Sequence, residues 1–112
     1  MSGISTHVLD ISAGRPAAGV AVLAEMESGG KDWQVVGRGV TDADGRIAEL
    51  MPAPLRAGDY RLTFETGKYF KNGSRKAFYP RVVIFFSVED GRERYHVPLL
   101  LSPFGYSTYR GS

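Results

Sequence analysis

With 112 residues the chain forms a single domain, 1–112, near the commonest domain size and long enough to bury a core without covalent staples. It contains no cysteine, which excludes a disulfide scaffold, a thiolate zinc site and thiol catalysis. The formal net charge of +2 is small and its basic residues form no single stripe, so nucleic acid is not an expected partner.

Residues 4–11 alternate, with Ser5, His7, Leu9 and Ile11 on one side of a pleat and Ile4, Thr6, Val8 and Asp10 on the other, which predicts a first strand. The run Ser12-Ala13-Gly14-Arg15-Pro16 breaks it, and a second strand follows over 20–27, up to the turn at Ser28-Gly29-Gly30. Residues 33–41 form a third, with Trp33, Val35 and Val36 as apolar mass. Asp42-Ala43-Asp44-Gly45 is a turn, because Asp bonds its own backbone and Gly accepts positive φ. A short fourth strand is expected over 46–50, and Met51-Pro52-Ala53-Pro54 is expected to exclude both helix and ladder. In 58–65, Tyr60, Leu62 and Phe64 alternate with Arg61, Thr63 and Glu65, the pattern of a strand buried on one face. Residues 66–71 are the one plausible helix, with Thr66 as N-cap and Gly73 as its stop. Pro80 opens a strand over 81–88, and Glu89-Asp90-Gly91-Arg92 turns it.

The final stretch reads as two strands around a corner. Tyr95, Val97, Leu99 and Leu101 fall on one face, and His96, Pro98 and Leu100 on the other. Ser102-Pro103 and Gly105 supply the turn, and 106–112 reads as a last strand whose Tyr, Thr, Arg and Ser content predicts a docked tail. Short strands at regular spacing with almost no helix predict an all-β fold, an antiparallel β-sandwich of about eight strands. The two semi-apolar faces of 82–86 predict that one sheet packs on another subunit. The longest apolar runs, 81–86 and 97–101, are too short to cross a bilayer. The N-terminus lacks a positive region and an apolar core, so the expected location is the cytoplasm, or the periplasm or peroxisome if a leader was trimmed or the source is eukaryotic.

Few residues here carry chemistry, and each has a plain structural reading beside it. The two histidines, His7 and His96, sit mid-strand on the less apolar face, where an ordinary half-exposed imidazole bonded to its neighbours is the default. Arg46, straight after a tight turn, is by default a solvated charge. The Asp42 turn lacks the later bidentate Glu of a calcium loop, and Gly37-Arg38-Gly39 lacks the third glycine and the helix of a phosphate cradle. Lys68, Lys71, Arg75, Lys76 and Arg81, interleaved with Tyr69, Phe70, Phe78 and Tyr79, read as a solvated helix-and-loop face. No metal site is expected from two histidines without paired spacing.

Taken together, several segments resemble one family. These are Ser5-Thr6-His7-Val8-Leu9-Asp10 with Gly14-Arg15-Pro16-Ala17, the turn from Thr41 to Arg46, the run from Arg94 to Pro103, and the closing Tyr109-Arg110-Gly111-Ser112. The chain is similar over essentially its whole length to the 5-hydroxyisourate hydrolases, the transthyretin-like enzymes of urate breakdown, and the closing tetrapeptide is the most specific element. Transthyretin, the hormone carrier of the same fold, lacks the first-strand histidine and that ending.

The resemblance implies a transthyretin-like sandwich of eight strands and one short helix, assembled as a homotetramer, a dimer of dimers, with active sites in the channel between dimers. It implies a substrate, 5-hydroxyisourate, opened by water to 2-oxo-4-hydroxy-4-carboxy-5-ureidoimidazoline, with no metal and no cofactor. His7 is then expected as general base, with His96 orienting the substrate or giving a proton to the leaving nitrogen, though the two roles are exchangeable. Arg46 suits a flat anionic ring or a developing oxyanion. Tyr109, Arg110, Gly111 and Ser112 would position the ring, Ser112 through its hydroxyl or a terminal carboxylate. The alternative is a transthyretin-like carrier that holds an aromatic ligand without turning it over.

Overall fold

A computed structural model describes residues 2–112 of the chain. Among the described residues it has nine strands and one helix, in the order β1 (Ser2–Asp10), β2 (Arg15–Pro16), β3 (Ala21–Ser28), β4 (Asp32–Val40), β5 (Arg46–Pro52), β6 (Gly58–Phe64), α1 (Thr66–Asn72), β7 (Val82–Val88), β8 (Tyr95–Ser102) and β9 (Gly105–Thr108). They form two sheets. In one, β1 lies beside β8 and β8 beside β9, while β5 and the two-residue β2 share the other edge of β1; the second sheet has the order β4-β3-β6-β7.

The sandwich forms because the strands alternate. Ile4 and Val8 of β1, Tyr60, Leu62 and Phe64 of β6, and Tyr95, Val97, Leu99 and Leu101 of β8 all turn inward and are buried. Each large apolar side chain taken from water there contributes about 1.5–3 kcal/mol of transfer free energy. The outward residues of β7, Val83 and Phe85, stay exposed in the single chain.

Several boundaries differ from the sequence reading. Every strand pair is antiparallel except β1 with β8, which run parallel in register from Ile4 opposite Tyr95 to Asp10 opposite Leu101. Pairing between strands so distant in the chain leaves no local turn signal to read. The stretch expected to exclude a ladder instead continues one, because β5 runs to Pro52, with Met51 opposite Ile4 and Pro52 opposite Ser2. Pro is tolerated at such a strand end. Thr66 is not the N-cap: the helix begins with it, Glu65 occupies the cap position without a side-chain bond, and the first-turn amide of Gly67 donates to the carbonyl of Pro80 at 3.0 Å. The Thr66 hydroxyl is buried and has no partner among the described residues. The last strand stops at Thr108, and beyond it only Gly111 returns to the sheet, in a single bridge to His96.

One end of β1 is fixed by a charge. Asp10 is fully buried. Its Oδ1 accepts from the amide of Ser12 at 3.1 Å, the hydroxyl of Ser12 at 2.6 Å and the amide of Ala13 at 3.0 Å. Its Oδ2 accepts from the hydroxyl of Tyr69 at 2.8 Å and from the guanidinium of Arg75. Arg75, taken from sequence as part of a solvated face, is thus the ionic partner that ties the segment after α1 to the first strand.

Candidate active site

The site grows out of the β5-β1-β8 side of the first sheet. The turn before β5 is held by Asp42, whose Oδ1 accepts from the amides of Asp44 and Arg46, both at 2.9 Å. Gly45 closes it with φ of 75°, and its carbonyl accepts from the amide of Val8 at 2.7 Å; a Cβ there would stand 2.3 Å from the carbonyl oxygen of Val8. That close approach puts Arg46 directly opposite His7 in the β1-β5 ladder. On the other side of β1, Ser5 lies opposite His96 and His7 opposite Pro98. Sequence parity put Ser5 and His7 on one face of the first strand and His96 with Pro98 on one face of another, and the parallel register brings those two faces together on one side of the sheet.

A cavity of about 260 Å³ opens on this face, lined by Ser5, Thr6, Arg46, Ile47, Ala48, Arg94, His96 and Ser112. Hollows of similar volume lie elsewhere, one of 260 Å³ on the outer face of the second sheet lined by Ala21, Leu23, Arg38, Val40 and Thr63 among others, so size does not select the site. Chemistry does. This cavity combines an imidazole, two guanidiniums and three hydroxyl-bearing residues with no carboxylate side chain in its lining, a potential that favours an anionic ligand.

His96 is half-buried, and the Ser5 hydroxyl lies 2.8 Å from its Nδ1. Burial lowers the basicity of its ring, and the neighbouring basic groups His7, Arg46 and Arg94 lower it further, while hydrogen bonding to Ser5 acts in the opposite sense. These surroundings favour the neutral ring, the form that accepts a proton. Ser112 reaches the cavity because the amide of Gly111 donates to the carbonyl of His96 at 2.8 Å, which lays the tail along β8.

Not every expected residue arrives. Arg46, His96 and Ser112 line the cavity; His7, the ladder partner of Arg46, is not in its lining. Tyr109 and Arg110 line a different hollow with Ile84, Phe86, Tyr95 and Val97, at the open edge between the sheets. Arg110 sits 4.4 Å over the ring of Tyr95 and donates at 3.4 Å to both Glu93 and the carbonyl of Arg94. Arg94 was missed from sequence as a site residue, although its place two positions before His96 put it on the same pleat face. Among the described residues, no three of His, Cys, Asp and Glu cluster so as to hold a metal ion, and no helix is long and apolar enough to cross a membrane.

The two-sheet sandwich, its single short helix and the cationic cavity on the β5-β1-β8 face define a transthyretin-type protein. The model of the HIUase/Transthyretin family matches residues 4–111, and the chain belongs to that family. It is 46% identical over 110 residues to the 5-hydroxyisourate hydrolase of Salmonella typhimurium, covering 97% of this chain and 80% of the relative. The solved structure of Klebsiella pneumoniae 5-hydroxyisourate hydrolase superposes with a TM-score of 0.88 at 44% identity, over 99% of this chain and 100% of that one. Sea bream transthyretin, solved in complex with thyroxine, superposes with a TM-score of 0.91 at 33% identity, over 96% and 93%. Enzyme and carrier backbones fit about equally well, so the fold alone does not separate them and the side chains must.

Proposed function

We propose that the chain is a 5-hydroxyisourate hydrolase, adding water across an amide-like bond of the six-membered ring of 5-hydroxyisourate to give 2-oxo-4-hydroxy-4-carboxy-5-ureidoimidazoline. One observation carries the reading: Arg46, His96 and Ser112, from three distant segments, meet around one cavity lined by cationic and hydroxyl groups. A carrier of apolar aromatic ligands needs no half-buried imidazole between two guanidiniums at such a place.

In the proposed mechanism the guanidinium of Arg46 binds the anionic ring and stabilises the oxyanion that forms when water attacks the carbonyl. An imidazole takes the proton from that water and gives it to the departing nitrogen, which regenerates the base, and the new carboxyl group then ionises, releasing one proton to solvent near neutral pH. Between the two histidines, the geometry favours His96 as this base, because it lines the cavity and its surroundings favour the neutral ring. His7, opposite Arg46, then assists by contact with the substrate. Ser112 bonds the substrate at the cavity floor, and Gly111 brings it there.

The assembly proposed with this mechanism is a homotetramer, a dimer of dimers. It is supported by the free edges of β7 and β9 and by large exposed side chains, with Phe85 at 62%, Phe104 at 69% and Tyr109 at 56% exposure. Tyr109 and Arg110, set apart from the cavity in one chain, would contribute to substrate binding in the channel between dimers. The proposed compartment is the cytoplasm, which fractionation of cells checks. An ultraviolet assay of freshly generated 5-hydroxyisourate tests the activity, and the molecular mass in solution tests the assembly.

A further inference from the structure

We infer that Ser5 is a positioning residue that holds His96 in the tautomer with the proton on Nδ1, leaving Nε2 as the basic nitrogen presented to the cavity. The inference deepens the hydrolase reading and rests on it for its catalytic consequence.

The parallel pairing of β1 with β8 sets Ser5 directly opposite His96, on the same face, and its hydroxyl lies 2.8 Å from Nδ1. A hydroxyl at that distance can donate or accept, so the contact alone leaves the tautomer open. The way the ring is set decides it: a base that works through the nitrogen facing the cavity carries its proton on the other one, and Nδ1 is the nitrogen turned to the Ser5 hydroxyl. The opposite edge of the ring is closed by Gly111, where a Cβ would stand 2.6 Å from Cδ2 and 3.3 Å from Cγ of His96. The imidazole is thus clamped between Ser5 on its Nδ1 side and the tail on its Cδ2 side. Nε2 has no protein partner among the described residues, so it is the nitrogen left to meet water or substrate.

This arrangement explains why a small hydroxyl residue, and not an apolar strand former, stands at position 5. With Nδ1–H donated to the Ser5 hydroxyl, the lone pair is on Nε2, and the ring cannot turn over without losing that bond and striking Gly111. An apolar residue at position 5 leaves the Nδ1 side less satisfied and lets the two tautomers mix.

The experiment is a 15N–1H long-range correlation spectrum of the histidine rings in the free protein at pH 7.5, a value chosen only as above the ordinary range of histidine, about 6.5. The spectrum is simple because the chain has two histidines, and His7→Gln assigns them. Wild type should show His96 with a protonated Nδ1 and an unprotonated Nε2. Ser5→Ala should show mixed tautomers and lower kcat by about tenfold or more while KM changes little, by analogy with other orienting partners of functional imidazoles. Ser5→Thr, which keeps the hydroxyl and suits a strand, should restore both. A wild-type His96 protonated on Nε2, or a Ser5→Ala protein with the wild-type spectrum and rate, would overturn the inference. Because the spectrum needs no substrate, a wild type with the expected tautomer but no turnover would count against the hydrolase reading and not against the role of Ser5 in setting the ring.

Discussion

The amide of Gly111 donates to the carbonyl of His96 at 2.8 Å while its own Cα face lies so close to the imidazole that no Cβ fits. The tail is therefore both tied to β8 and pressed on the ring it serves. Gly111→Ala should lower kcat/KM by about a hundredfold, the order expected when reacting groups are displaced by about 1 Å. Its melting temperature should change little, because Gly111 makes only one bridge to the sheet. Steady-state kinetics beside a thermal melt check this.

Stopping the chain after Thr108 removes Ser112 from the cavity and Arg110 from the ring of Tyr95, but leaves both sheets whole. The shortened protein should keep a cooperative unfolding transition and lose hydrolysis to the uncatalysed background. Circular dichroism and the ultraviolet assay, run on one preparation, separate the two effects.

Arg46 is exposed, and its side chain owes the fold little. Arg46→Met should therefore cost no more than about 0.5 kcal/mol of stability, the usual limit for surface substitutions. It should reduce kcat by about 10²–10³-fold, the loss seen when one oxyanion-stabilising donor is removed. Arg46→Lys keeps the charge without the planar fork and should recover only part of the rate.

The rate should fall on the acid side as His96 takes up a proton, and its surroundings place that fall below the ordinary histidine range. The sign of each neighbour's effect follows from its charge. Removing Arg94, one of the cations that disfavour the protonated ring, makes protonation easier and moves the acid limb to higher pH. The kcat profile of Arg94→Gln against wild type should show that upward displacement; a displacement to lower pH would remove His96 as the titrating base.

Burial pushes the Asp10 carboxyl up, but the hydrogen bonds from Arg75, Ser12, Tyr69 and Ala13 together outweigh it and hold the group well below the usual carboxylate range. A depressed carboxyl contributes stability that is fully present above its ordinary value of 3.8 and is lost as pH falls below it. Asp10→Asn leaves Arg75 without its ionic partner and should cost about 3 kcal/mol near neutrality, the lower end for breaking a buried pair. Urea unfolding as a function of pH should show wild type losing stability below pH 4 more steeply than the variant.

How much of this was legible depends on where each signal lived. The inward faces of β1, β6 and β8 follow from strict alternation, so Tyr60, Leu62, Phe64, Val97 and Leu99 were readable one by one. The Asp42 turn was readable because its chemistry is local: the side chain bonds amides two and four residues on. The β1-β8 pairing was not, since parallel neighbours so far apart leave no turn to mark them. The Asp10 anchor was half-visible, as parity placed that acid among Ile4, Thr6 and Val8, yet nothing in the pattern named Arg75 and Tyr69 as its partners. At the site, parity put Ser5, His7 and His96 on shared faces, but the meeting of Arg46 with His96 and the turning away of Arg110 depend on three-dimensional pairing.

The most direct measurement is the ultraviolet decay of 5-hydroxyisourate made in place from urate by urate oxidase, followed with wild type, with His96→Ala and with no added protein. The proposed chemistry requires wild type to speed the decay in proportion to its concentration and His96→Ala to bring it back to within about tenfold of the spontaneous rate or closer. Saturable binding of the compound, with a decay no faster than in buffer, would instead make the cavity that of a carrier.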